Sequence, residues 1–272
     1  RLRPNHPAMT RPRNRHFAAA GVALVLGLTA CGSAPAPADP LAAQESAAAD
    51  AILGLMTSLP LYWPLGATVQ DIAAGRADMP WQRDVLEQSY TLELLDTLSP
   101  IPALSPDAPD LDPLAHLTRL AIIQPRGLSP ADNVALDSWV RAGGRLLLVL
   151  DPALTGHYDL PLGDPRLPSQ AALIPPVVAR WGMAIRFDDE QSSKLVDASL
   201  GETWLPLVLG GEVTIIDPAA ADCTLLASGA AARCDVGGGQ VTLIADAAIF
   251  EHPELAGEGG AALRAVIGQA FE

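Results

Sequence analysis

Apolar and polar positions fall into blocks along residues 117–152 that predict a strand, a helix and a second strand. Leu120, Ala121, Ile122 and Ile123 form one unbroken apolar run, and residues 146–150 (LLLVL) form another. Runs this short and continuous suit strands buried on both faces. Between them Ser129 is placed to cap a helix, Pro130 stands at its first position, and Asp132 follows three residues after the cap. Leu136, Trp139 and Val140 make the inward stripe, Val134 falls off it, and Gly143-Gly144 end the helix. Two buried strands joined by one helix are a right-handed crossover, the unit of a parallel α/β sheet.

The flanking pattern extends this unit in both directions. Residues 52–57 (ILGLMT) read as a first strand, followed by a Pro- and Gly-rich connection that exposes Tyr62, Trp63 and Trp81. Connections of that length inside a domain are usually functional or mobile. Residues 81–88 predict a helix and 91–95 a strand, whereas 99–113, with five prolines and three aspartates, must be a surface loop. A second long loop covers 152–168, and Pro175-Pro176 open a short helix ended by Gly182. A strand over 185–187 and an acidic run at 188–190 follow. Residues 188–235 then read as a small antiparallel β extension. A Gly237-Gly238-Gly239 turn leads into a last buried strand over 241–245, and residues 260–271 form an amphipathic C-terminal helix.

Charge and the N-terminal stretch bear on location. From Cys31 onward there are 12 basic and 31 acidic residues, a balance of −19, and such a body repels nucleic acid. Met9 reads as the start, Arg11, Arg13 and Arg15 as a basic region, and residues 17–28 as an apolar region too short for a membrane span. Leu28-Thr29-Ala30-Cys31 resembles a bacterial lipobox, which predicts cleavage before Cys31 and lipid on its sulfur, with membrane attachment through that lipid. The chain then divides into residues 1–30 as upstream residues plus signal, 31–50 as a tether and 51–272 as the α/β domain. Gly32 and Ser33 differ from the aspartate that retains lipoproteins at the inner membrane, so a periplasm-facing site at the outer membrane is expected. In that oxidising compartment Cys223 and Cys234 are expected to pair, closing a loop of roughly ten residues for up to about 3 kcal/mol.

In a parallel sheet, ligands bind beyond the carboxyl ends of the strands. Those ends carry Ser58, Gln124-Pro125-Arg126, Asp151 and Asp246. Together they suit a polar ligand or a cation; equally, Asp151 and Asp246 suit capping roles with Arg126 paired to one of them. Arg126 precedes the N-cap of the central helix, where an anion is favoured. Tyr62 and Trp63 suit a stacking platform or the packing of a lid. There is no G-x-S-x-G, no C-x-x-C and no H-E-x-x-H, and Gly237-Gly238-Gly239 precedes a strand rather than a helix. No catalytic nucleophile, metal or cofactor is expected, although His157 beside Asp159 and Asp164 has the composition of an open cation site.

The segments MTSLPLYW (56–63), LDTLSP (95–100), QPRGLSPADNVALDSWVRAGGRLLLVLDPAL (124–154), PLGDPRLP (161–168), ARWGM (179–183) and ADAAIFE (245–251) resemble a family of exported α/β domains. These are gliding-motility-type ABC-transporter auxiliary proteins, related to the GIFT domain and the class I glutamine-amidotransferase-like superfamily. The resemblance implies a flavodoxin-like sheet with helices on both faces, working as a non-catalytic binding module with ABC-transporter components as partners. The amidotransferase nucleophile is a Cys at a strand-helix elbow. Leu150-Asp151-Pro152 stands at the corresponding kind of strand end, so that activity is expected to be absent. Two readings follow: a non-enzymatic lipoprotein that binds a small polar ligand or a protein, or a carbohydrate- or ester-acting hydrolase using Asp151 and Asp246 as acid and base.

Overall fold

The computed structural model describes residues 52–272 apart from Pro106 and Leu162. The signal, the lipobox at Cys31 and the tether lie outside the described residues. Among the described residues no helix is long and apolar enough to cross a membrane.

Eleven strands are formed: β1 (Ile52–Thr57), β2 (Thr91–Leu94), β3 (Arg119–Ile123), β4 (Arg145–Val149), β5 (Met183–Arg186), β6 (Val196–Leu200), β7 (Thr203–Leu207), β8 (Glu212–Ile215), β9 (Asp222–Leu226), β10 (Ala231–Val236) and β11 (Gly239–Ile244). The helices are α1 (Val69–Ala73), α2 (Trp81–Leu86), α3 (Pro130–Arg141), α4 (Pro176–Arg180), α5 (Ala248–Glu251) and α6 (Ala261–Ala270). Seven strands make one sheet in the order β2-β1-β3-β4-β11-β10-β9. The first five of these run parallel, and β10 is antiparallel to both β11 and β9.

Side chains alternate across this sheet and build two cores. Leu53, Leu55, Ala121, Ile123, Leu147 and Val149 face α2 and α6, where Val85, Leu86, Leu263, Val266 and Ile267 meet them. Leu120, Ile122, Leu146, Leu148 and Leu243 face the other way, against Leu136 and Val140 of α3 and Val177 and Val178 of α4. The apolar runs are unbroken because both faces are covered. Each fully enclosed leucine contributes about 1.5–3 kcal/mol.

The β-rich segment is the main departure from expectation. Residues 188–235 do not form one separate extension. β9 and β10 continue the main sheet, β6 and β7 form a hairpin on the α6 face, and β8 pairs with β5 on the opposite face. Short alternating strands declare that they pair but not with which partner, since backbone ladders are the same for any neighbour. β10 is joined to β11 by the tight turn at Gly237-Gly238, and a side chain at Gly239 would strike the backbone oxygens of Val140 and Gly144. The other partner is set by Cys223 and Cys234, which lie directly opposite one another on β9 and β10 and form the expected disulfide.

The central crossover forms as its residues predict. Ser129 and Asp132 make a reciprocal capping box at the start of α3. The Asp132 carboxylate also accepts hydrogen bonds from Thr97 Oγ1 and the backbone N–H groups of Leu98 and Ser99. Burial opposes its charge, but these hydrogen bonds outweigh burial and hold the carboxyl well below the usual range. The loop after β2 is thereby pinned to the start of α3. Asp137 does the same farther along, accepting from Arg141, Arg180 and the Trp181 indole, which locks α4 against α3.

Candidate functional site

The chain leaves β1, forms β2 on one side, and then crosses to β3 on the other. Neighbouring loops therefore diverge at the carboxyl end of β1 and leave a crevice there. A cavity of about 390 Å3 fills it, and its walls include Ser58, Tyr62, Trp63, Asp96, Arg126 and Arg166. Tyr62 and Trp63 meet edge to face with ring centroids 4.9 Å apart. The Arg83 guanidinium of α2 sits 4.0 Å from the Tyr62 ring centroid and is held by Glu87 at 2.7 Å. Tyr62 is half-buried by these contacts, while Trp63 stays 48% exposed.

The polar groups of this wall differ in how far they are committed. Ser58 is occupied: its hydroxyl donates to the Gln124 carbonyl at 2.5 Å and accepts the Ser169 N–H at 3.2 Å. Arg166 forms a two-point contact with Asp164, at 2.9 and 2.7 Å, which holds that carboxyl down at about 2. Arg126 is exposed, and among the described residues it has no hydrogen bond or ion pair. Asp96 is likewise exposed and unpartnered among the described residues. Among the described residues, the crevice thus offers one free guanidinium, one free carboxylate and a half-exposed indole.

The other polar strand ends turn inward. Gln124 is fully buried at φ +45°, a rare conformation for a residue with a side chain. Its carboxamide accepts from Asp151 N at 2.8 Å and donates to the carbonyls of Asp151 at 3.0 Å and Ser169 at 2.7 Å, binding β3 to β4 and to the following loop. Asp151 and Asp246 are 0% and 1% exposed. Asp151 accepts the N–H groups of Ala153 and Ala247, and Asp246 those of Val208 and Ala248. Burial pushes Asp151 up to about 6, with the Glu251 charge adding to it. Burial and then the Asp151 charge push Asp246 up to about 8. Glu251 completes this acidic group, accepting from Thr155 N at 2.9 Å and from the Tyr158 hydroxyl.

Of the predicted residues, Ser58, Tyr62, Trp63 and Arg126 come together in the crevice, and Gln124, Asp151 and Asp246 do not line it. The anticipated approach of Arg126 to Asp151 is absent, because Asp151 spends both oxygens on backbone donors inside the fold. His157 and Asp159 are exposed, Asp164 serves Arg166, and among the described residues no cluster of His, Cys, Asp or Glu could hold a metal.

Other cavities lie among the described residues. A groove of about 870 Å3 between α3 and the 99–118 loop is lined mostly by small and apolar side chains such as Ala131, Ala135 and Leu114. One of about 540 Å3 lies among the residues around Arg186, Lys194 and Ser228. The larger volume of the first does not make it the better candidate, since specific recognition needs convergent polar groups.

No family model matches this chain, and no curated protein does. Solved structures give partial likenesses. The exo-β-1,4-mannosidase Op5Man5 from Opitutaceae bacterium strain TAV5 is 14% identical with a TM-score of 0.44, over 79% of this chain and 35% of its own. The N-terminal domain of mmIFT52 is 12% identical at 0.45, over 81% and 96%. The β-galactosidase from Rahnella sp. R3 is 10% identical at 0.44, over 80% and 31%. The chain spans about a third of the length of the two glycosidases. At these values none of them assigns an activity to this chain.

Sequence reasoning missed Asp96, Arg166 and Arg83 in or behind the crevice, and Glu251 and Tyr158 beside the buried pair. Asp96 was the accessible one, since it directly follows a predicted strand and so satisfies the strand-end rule. Nothing in the spacing of Tyr158 and Glu251 signals their contact.

Proposed function

We propose that this chain is a non-enzymatic, lipid-anchored protein of the cell envelope whose α/β domain binds a small polar ligand in the crevice beyond β1. The observation that carries the reading is Arg126: an exposed guanidinium, unpartnered among the described residues, in the same wall as the half-exposed Trp63. A cavity of about 390 Å3 falls in the common range of small-molecule sites, about 300–1,000 Å3. The parallel strands, taken in chain order, run 2-1-3-4-5, which supports the flavodoxin-like reading and its ligand position at the β1/β3 divergence. The amidotransferase-like kinship, the outer-membrane address and the link to an ABC-type exporter rest on sequence resemblance. Asp151 in place of a nucleophilic Cys agrees with a binding rather than a catalytic member.

The hydrolase alternative needs Asp151 and Asp246 to face a substrate. Their enclosure, with all four oxygens engaged by backbone donors, argues against it.

The reading is tested by titrating the full chain with a panel of sugars, amino acids and small carboxylates while following the heat of binding by calorimetry. At least one class is expected to bind, with Trp63→Ala and Arg126→Ala each weakening it tenfold or more. Failure of the whole panel, or binding unaffected by both substitutions, contradicts the reading. Lipid attachment is checked separately: Cys31→Ser is expected to abolish palmitate labelling, and a labelled variant excludes the anchor.

A further inference from the structure

Resting on that reading of the crevice, we infer that its ligand is an acidic sugar unit, a hexose ring carrying a carboxylate or a phosphate. Three observations converge on this chemistry. The first is charge. In a body with 12 basic and 31 acidic residues from Cys31 onward, the crevice wall carries no acidic excess, with Arg126 and Arg166 beside the single carboxylate of Asp96. Arg166 is already neutralised by Asp164, whereas the planar fork of Arg126 is free to take a carboxylate or phosphate through two parallel hydrogen bonds.

The second is the aromatic wall. Trp63 is 48% exposed and meets Tyr62 edge to face, and the Arg83 guanidinium lies 4.0 Å from the Tyr62 ring centroid and 5.8 Å from that of Trp63. A rigid indole of this kind suits the apolar C–H face of a pyranose at small conformational cost. A bare anion such as inorganic phosphate would use the arginine and leave the indole idle. The third is Asp96. An acceptor-only carboxylate repels a simple anion but takes hydrogen bonds from sugar hydroxyls. A molecule with an anionic end, hydroxyl donors and one apolar face uses all three groups together, which neither a neutral sugar nor a free anion does.

The test titrates the full chain with glucuronate, glucose 6-phosphate, glucose and inorganic phosphate, at low and at physiological salt. Glucuronate or glucose 6-phosphate is expected to bind at least tenfold more tightly than glucose, and the tighter of the two tells carboxylate from phosphate. Inorganic phosphate should bind at least tenfold more weakly than the better acidic sugar. Arg126→Ala should bring acidic and neutral sugars to the same affinity, and Arg126→Lys should restore part of the difference. Trp63→Ala should weaken both sugars alike. Equal binding of glucose and the acidic sugars, or of inorganic phosphate and glucose 6-phosphate, overturns the inference. If none of the four binds while another compound of the wider panel does, the inference falls and the binding reading stands; if nothing binds, both fall.

Discussion

The two ends of the sheet's carboxyl edge carry similar residues and have opposite fates. At β1, β2 and β3 the polar groups Asp96 and Arg126 are exposed and uncommitted in a crevice. At β4 and β11 the carboxylates of Asp151 and Asp246 are enclosed and every oxygen holds a backbone N–H. The difference lies in what covers each end. Over β4 and β11 the segments 152–172 and 207–211 and the helix α5 close down, and their backbone donors need acceptors that the sheet supplies. Over β1 the chain diverges to either side, and among the described residues nothing closes the crevice. A strand-end carboxylate is therefore left exposed or enclosed according to the backbone above it.

The largest effect expected from breaking this contrast is on the sealed side. Asp246→Ala would leave the N–H groups of half-buried Val208 and buried Ala248 without an acceptor, at a cost of about 2–4 kcal/mol. Urea denaturation should show it as a lower midpoint, and a change under 1 kcal/mol would mean that the site is open to water.

Reduction of the Cys223–Cys234 disulfide comes next. The bond joins β9 to β10 at the sheet's outer edge with a sequence separation of 11. Its loss should cost about 2–3 kcal/mol in the chain-entropy account and lower the melting temperature, without altering ligand binding at the opposite end of the sheet. Impaired binding after reduction would show that the two ends are coupled.

A smaller effect concerns pH. Asp151 and Asp246 titrate near 6 and 8 in the folded protein, against about 4 in the unfolded chain. Folding therefore takes up protons, and this contribution is complete below pH 4 and lost as pH rises through the folded values. Asp132 works in the opposite sense: its depressed carboxyl contributes above pH 4 and loses that contribution in acid. Stability should fall by about 1–3 kcal/mol between pH 5.5 and 7, measured by denaturation at each pH. A flat profile across that interval would show that the pair is fully solvated.

Much of this architecture was legible in the residues. The crossover from β3 through α3 to β4 follows from two apolar runs, a Ser-Pro start and a Gly-Gly stop, all short-range signals. The disulfide followed from the oxidising compartment that the N-terminal residues predict and from the spacing of Cys223 and Cys234. The crevice was partly legible, because Tyr62, Trp63 and Arg126 all follow predicted strands. What could not be read was direction. Whether a polar residue one step beyond a strand points inward depends on segments far along the chain: Val208 for Asp246, and Ala247 for Asp151. Gln124 illustrates the same limit, since its place in the fold requires a positive φ that no local pattern announces.

In the binding proposed for this chain, Arg126 serves a ligand while Asp151 and Asp246 serve the fold. The most direct test is the ligand-induced shift in stability, compared between the unaltered chain and Arg126→Ala at the same saturating concentration of the best acidic sugar. At a hundredfold excess over Kd, binding to the folded state should add about 2.7 kcal/mol to the unaltered chain. Arg126→Ala should show the same stability without ligand, to within about 0.5 kcal/mol, and most of the shift should be gone. A variant that is strongly destabilised without ligand, yet shifts as far as the unaltered chain when it is added, would contradict the account.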